Sequence, residues 1–149
     1  MEEQGKILIV EGRYYDEIID ALLEGVLSVL NQEGVTYERL EVPGAFEIPT
    51  AIAMAEASSE PFEGYIALGC VIRGETSHYD YVCQESARKL MDLAAERGLP
   101  LGYGILTVEN EDQAWNRALM SKRNKGAEVA RACLRMMKLQ ERFLETDED

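Results

Sequence analysis

The sequence predicts an α/β protein, a three-layer α/β/α sandwich built on a four-stranded parallel sheet with helices on both faces. Three observations predict it. Short apolar runs alternate with longer segments of helical periodicity, glycines and prolines fall at the joints between them, and 149 residues suit one compact domain. No internal repeat, linker or low-complexity stretch divides the chain, so a single domain spans residues 1–149.

Residues 6–11 (KILIVE) form a short run rich in branched side chains, the pattern of a strand covered on both faces. From Asp16 the apolar residues Ile18, Ile19, Leu22, Leu23, Val26, Leu27 and Leu30 recur at helical spacing, and Gly34 stands where a carboxyl-terminal cap belongs. Residues 36–42 (TYERLEV) alternate polar and apolar as an edge strand does, and Pro43-Gly44 stops them. A second helix is expected over 49–57, and residues 64–72 (GYIALGCVI) read as another buried strand. A long helix then carries Cys83, Ala87, Leu90, Met91 and Ala94 on one stripe and ends at Gly98 before Pro100. Residues 101–108 (LGYGILTV) form the fourth strand, Asn110 caps the next helix with Gln113 three residues on, and Ala127, Ala130, Cys133, Leu134 and Met137 mark the last. The acidic end, residues 140–149, reads as a frayed tail.

Composition excludes several function classes. The chain holds 28 Asp and Glu against 15 Lys and Arg, for a net charge of −13, and so lacks the basic footprint of a nucleic-acid binder. An anionic ligand would need cations gathered locally against that field, which singles out Arg73, Arg117 and Lys125. Cys70, Cys83 and Cys133 make neither an even disulfide set nor a CxxC pair, and read as buried thiols of a reducing cytoplasm. With one histidine and three scattered cysteines there is no metal-ligand spacing. No apolar run is long enough to span a bilayer, and residues 1–6 do not read as a signal peptide, so a cytoplasmic location is expected.

In a parallel sheet, ligands bind beyond the carboxyl ends of the strands, where the loops gather. That directs attention to residues 12–15, 43–47, 72–78 and 108–110. His78 stands just past a buried strand, where an imidazole can both take and give a proton; the plainer reading is a surface or capping residue. The preceding Gly74-Glu75-Thr76-Ser77 suits a phosphate at a helix amino terminus, or is a simple cap made by Thr76 or Ser77. In Pro43-Gly44-Ala45-Phe46-Glu47, Glu47 could accept hydrogen bonds from a polyhydroxyl chain, or could merely be an acidic first helical turn; the segment alone does not choose. Tyr14 and Tyr15 could stack on a flat heterocycle or pack an interface, and Trp115 reads as core or subunit contact. A Cys83–His78 nucleophile pair is rejected, because five residues apart on one helix they face different sides.

Together the stretches VPGAFEIP (42–49), GCVIRGETSHYDYV (69–82), GILTVENEDQAWNRA (104–118) and RNKGAEVA (123–130) resemble the 6,7-dimethyl-8-ribityllumazine synthase family, over residues 7–138. The resemblance implies a flavodoxin-like strand order and an enzyme of riboflavin biosynthesis. Such an enzyme joins 5-amino-6-(D-ribitylamino)uracil to 3,4-dihydroxy-2-butanone 4-phosphate, releasing phosphate and water with no metal or organic cofactor. It implies roles too. Tyr14 would stack on the pyrimidine, Ala45, Phe46 and Glu47 would hold the ribityl chain, and Val71 and Ile72 would contact the heterocycle, with Lys125 nearby and Tyr103 also at the substrate. Glu75, Thr76 and Arg117 would hold phosphate, Arg117 coming from a neighbouring subunit, and His78 would be the acid and base.

The sequence departs from the family pattern at Tyr15, where asparagine is usual, and over residues 119–123, where glycines are common. Residues 1–5 are brief for the strand that capsid-forming relatives add to a neighbour, which favours a homo-oligomer that is a pentamer or a pair of pentamers. A non-catalytic flavin-binding relative would lose Thr76, His78 and Arg117, which are retained. A signalling receiver domain would need an acidic residue where Cys70 and Val71 stand.

Overall fold

The computed structural model describes residues 6–148. Strands β1 (Lys6–Gly12), β2 (Thr36–Val42), β3 (Gly64–Ile72) and β4 (Leu101–Val108) form one parallel sheet in the order β2-β1-β3-β4. This is the expected flavodoxin-like order. Helices α1 (Asp16–Glu33), α4 (Glu111–Ala118) and α5 (Lys125–Glu148) cover one face, and α2 (Ile48–Glu56) and α3 (His78–Arg97) cover the other.

Alternation along the strands explains the two cores. Ile7 and Ile9 point to the face of α1 and α5, Leu8 and Val10 to that of α2 and α3, and all four are buried. Burying a side chain of this size contributes about 1.5–3 kcal/mol. Two close approaches set the spacing of α1 and α5: a Cβ at Gly126 would run into the Leu22 carbonyl oxygen, and one at Gly25 into Asn124 Oδ1. β2 is largely exposed, as the edge reading required.

Most boundaries match the sequence reading. Gly34 closes α1 and Gly98 closes α3, both with left-handed backbone (φ 67° and 63°), and Asn110 Oδ1 accepts the Gln113 N–H at 2.9 Å. α2 starts one residue before the expected 49–57, because a 3-10 turn, Ala45–Glu47, feeds directly into it. Met91 is a correction: it is 66% exposed, and the buried residues of α3 are Val82, Ser86 and Leu90. Cys83 is another: it is half-buried, whereas Cys70 and Cys133 are buried as expected. α5 continues as helix to Glu148, so the acidic stretch from residue 140 shows no loss of helix in this range. The expectation about residues 1–5 lies outside the described residues. Among the described residues no helix is long and apolar enough to cross a membrane, and no group of His, Cys, Asp and Glu could hold a metal ion.

Candidate active site

The carboxyl ends of β1, β2 and β3 open into a cleft of about 490 Å³, within the usual range for small-molecule sites. Three of the four expected loops form it. A 3-10 turn, Arg13–Tyr15, contributes Tyr14 and Tyr15; residues 43–47 contribute the opposite wall; Cys70, Val71 and Ile72 make the floor; Gly74, Thr76, His78, Tyr79 and Val82 close the far side. The fourth loop acts differently. The Arg73 N–H donates to the Val108 carbonyl at 2.9 Å and the Arg73 guanidinium meets Glu109 Oε1 at 2.9 Å, so residues 108–110 brace the third loop instead of lining the cleft.

The side of the cleft that carries the Tyr14 and Tyr15 rings is closely built. A Cβ at Gly12 would stand 2.7 Å from the Gly44 carbonyl carbon and 2.9 Å from Ala45 N, so only glycine lets the end of β1 touch the 43–47 turn. Tyr14 meets Tyr15 edge-to-face with centroids 4.9 Å apart, and Tyr14 stays 76% exposed, its faces open to a planar ligand. Phe46 and Glu47 are exposed toward the same opening, while Ala45 is buried beneath them. Burial pushes the Cys70 thiol up to about 12, with Cys83 and Glu111 adding to the rise, so the floor carries no thiolate near neutral pH. Burial likewise raises the Tyr15 phenol, ahead of the effects of Tyr14 and Cys70.

The His78 side is open. Ser77 is the N-cap of α3 but makes no side-chain cap bond; Thr76 Oγ1 accepts the His78 N–H at 3.3 Å, and residues 73–78 are all exposed. The cap reading therefore holds in part for Thr76 and fails for Ser77. His78 is the first residue of α3 and lines the cleft, at the positive end of a 20-residue helix. Arg73 does not supply a cation there. Its guanidinium lies 4.3 Å from the Tyr79 ring centroid and pairs with Glu109 and with Asp80 (3.4 Å), and the Glu109 hydrogen bond chiefly holds it above its ordinary pKa.

Of the residues singled out in the sequence, Tyr14, Ala45, Phe46, Glu47, Val71, Ile72, Thr76 and His78 meet at this cleft. Glu75 stands exposed in the same loop without lining it. Tyr103 lies on edge strand β4, 38% exposed, with Cys83 and Tyr79 as its electrostatic neighbours. Arg117 and Lys125 belong to the opposite helical layer: Arg117 Nη1 donates to the Gln113 carbonyl at 3.0 Å, and Lys125 pairs with Glu128 at 3.1 Å. One chain thus assembles the ring side and the histidine, and leaves both of these cations elsewhere. Trp115 packs against the core and its Nε1 donates to Glu111 Oε1 at 3.2 Å. Cys83 is absent from the cleft, in keeping with the rejected nucleophile pair.

Sequence reasoning missed the support beneath Tyr14. Glu11 is fully buried and joined to Arg13 and Arg39 at 2.7–2.8 Å. A signal existed, since a carboxylate in a strand covered on both faces has to be paired. Tyr79 and Val82 were also missed as lining residues; both lie one helical turn or less beyond His78.

The family model described as 6,7-dimethyl-8-ribityllumazine synthase matches residues 4–141. The chain is 51% identical over 143 residues to the 6,7-dimethyl-8-ribityllumazine synthase of Bartonella tribocorum, covering 96% of this chain and 95% of that protein. It is 55% identical over 138 residues to the Bartonella bacilliformis protein of the same name (92% and 91% covered) and 52% identical over 141 residues to that of Agrobacterium fabrum (92% and 95%). Similarity of this extent, across both the cleft and the fold that carries it, makes the chain a member of the 6,7-dimethyl-8-ribityllumazine synthase family.

Proposed function

We infer that this chain condenses 5-amino-6-(D-ribitylamino)uracil with 3,4-dihydroxy-2-butanone 4-phosphate, and that the cleft between Tyr14 and His78 is where it does so. The observation that carries the reading is that an exposed aromatic face and the chain's only imidazole open on one cleft of suitable volume. Tyr14 stacks on the pyrimidine, Val71 and Ile72 meet the heterocycle along the floor, and Ala45, Phe46 and Glu47 take the ribityl chain, Glu47 accepting from its hydroxyls. The loop that carries Glu75 and Thr76 takes the phosphate at the start of α3, with Thr76 lining the cleft, where free N–H groups and the helix dipole favour an anion.

The steps follow from those positions. The ring amine attacks the ketone and loses water to give an imine, phosphate leaves by elimination, and the ribityl-bearing nitrogen closes the second ring with loss of a second water. Each step moves a proton, which His78 carries. Holding the two reactants together contributes up to about 7–11 kcal/mol, and a proton shuttle about 10²- to 10⁴-fold. No metal or organic cofactor is needed for this sequence of steps.

Arg117 completes the phosphate site from a second copy of the chain, with Lys125 and Tyr103 joining the substrate site in the same assembly. The support is that both cations lie outside the cleft within one chain, and that Arg73, at the start of the His78 loop, is already paired. The assembly is a pentamer or a pair of pentamers, working in the cytoplasm. Purified protein mixed with both substrates should form fluorescent lumazine and release one phosphate per turnover, and light scattering should give the mass of five or ten chains; no fluorescence, or a particle of sixty chains, would refute the corresponding part.

A further inference from the structure

The 3-10 turn Arg13–Tyr15 carries the ring-stacking residue, yet ordinary local devices do not hold it. None of its residues is fully buried, although Tyr15 packs partly against the core; its N-cap Gly12 makes no side-chain cap bond, and Tyr15, N-cap of α1, makes none either. What ties it down is Arg13. Its Nε and Nη2 both meet Glu11 Oε1 at 2.8 Å, and its Nη1 reaches Asp16 Oδ1 at 3.0 Å, Asp20 Oδ1 at 2.8 Å and the Asp16 carbonyl at 3.3 Å. One planar fork therefore bolts the end of β1 to the first turn of α1 across the turn that bears Tyr14.

Glu11 sets the direction of that fork. It is fully buried at the end of β1, and its other oxygen accepts from Arg39 Nε at 2.7 Å, with Arg39 Nη2 on Oε1 at 3.0 Å. Arg39 comes from β2, the strand that leads into the opposite wall of the cleft at Pro43. A buried carboxylate is costly unless its oxygens are hydrogen-bonded, so the pairing with Arg13 and Arg39 favours this geometry.

We propose that Glu11, Arg13 and Arg39 are positioning residues of the active site, holding the Tyr14 turn in register with the 43–47 wall so that the ring site is formed before substrate arrives. The proposal rests on the assignment of Tyr14 to the ring substrate. Preformed geometry lowers the ordering cost of binding, so loosening it weakens affinity for the ring compound and leaves the proton transfers at His78 alone. Lysine at position 13 keeps the charge but, as a single ammonium, cannot span Glu11, Asp16 and Asp20 together.

The test uses the whole protein in its native assembly. Binding of 6,7-dimethyl-8-ribityllumazine is followed by its fluorescence, and steady-state constants are measured for both substrates, in Arg13→Lys, Tyr14→Ala and the double variant. Arg13→Lys should raise the lumazine Kd and the KM for the pyrimidine on the order of tenfold, with the KM for the butanone phosphate and kcat changed less than about twofold. In the Tyr14→Ala background Arg13→Lys should add nothing further, because Arg13 acts through Tyr14. Unchanged affinity in Arg13→Lys, or losses that add in the double variant, would overturn the proposal. Should Arg13→Lys not fold, Asp20→Ala, which removes only the exposed outer tether, decides in its place: a smaller rise in the same two constants supports the proposal, and no rise refutes it. If Tyr14→Ala itself leaves lumazine affinity intact, the assignment of the ring site fails instead.

Discussion

The two sides of the cleft are built in opposite ways. On the ring side, Gly12 touches the 43–47 turn, Glu11 is buried and paired with two arginines, and the floor joins buried Cys70 to half-buried Val71 and Ile72. On the phosphate side, residues 73–78 are exposed, Ser77 caps nothing, and Arg73 is engaged by Glu109 and Asp80. The contrast separates two kinds of recognition. A flat heterocycle is recognised by shape, which one folded chain can preform; a doubly charged phosphate demands cations, and within one chain Arg117 and Lys125 stand on the other helical layer.

The comparison can be broken first at its open side. His78→Ala should lower kcat by about 10²- to 10⁴-fold without abolishing turnover, because orientation by the closed side survives. Single-turnover fluorescence measures this, and an unchanged rate would remove His78 from the mechanism. Arg117→Ala comes next, with a KM for the butanone phosphate raised on the order of 10- to 100-fold as two charge-assisted hydrogen bonds are lost. A change confined to the KM of the pyrimidine would put Arg117 on the wrong side.

Smaller effects sharpen the closed side. Gly12→Ala forces a methyl against Gly44 and Ala45 and should cost about 1–3 kcal/mol of stability, read as a lower urea midpoint, with weaker lumazine binding alongside. Retained midpoint and affinity would mean that the two walls do not constrain each other. The least effect concerns pH. The Cys70 thiol is raised from 9.0 to about 12 in the folded chain, so the folded state keeps a proton that the unfolded state loses. The stability this contributes is present in full below pH 9 and declines between about pH 9 and 12. Cys70→Ala should flatten the fall of the melting temperature over that window; an equally steep fall would show that Cys70 is not sealed under the ring site.

What the sequence disclosed follows the same division. Periodicity, the Gly34 and Gly98 caps and the Asn110 cap were legible because each is a local contest between neighbouring residues and the backbone. Tyr14, residues 45–47 and His78 were legible as loop residues at strand ends, since a parallel sheet gathers those ends. The Glu11 cluster was not, because it closes only through Arg39, 28 residues away and outside any short window. Met91 misled for a related reason: it keeps helical spacing with Ala87 and Ala94, yet the buried stripe of α3 is Val82, Ser86 and Leu90. The roles of Arg117, Lys125 and Tyr103 came from resemblance alone, and within one chain they stand apart from the cleft.

The most direct test of the claim that one chain holds only half of the site is complementation between two damaged chains. His78→Ala and Arg117→Ala chains carrying different tags are co-expressed, mixed assemblies are isolated through both tags, and turnover is measured at butanone phosphate well below its KM. The account predicts activity clearly above that of either variant alone, since some clefts then combine an intact His78 with an intact Arg117 from the neighbouring copy. Activity no greater than the mean of the two variants would contradict it, placing both residues in the same chain's site.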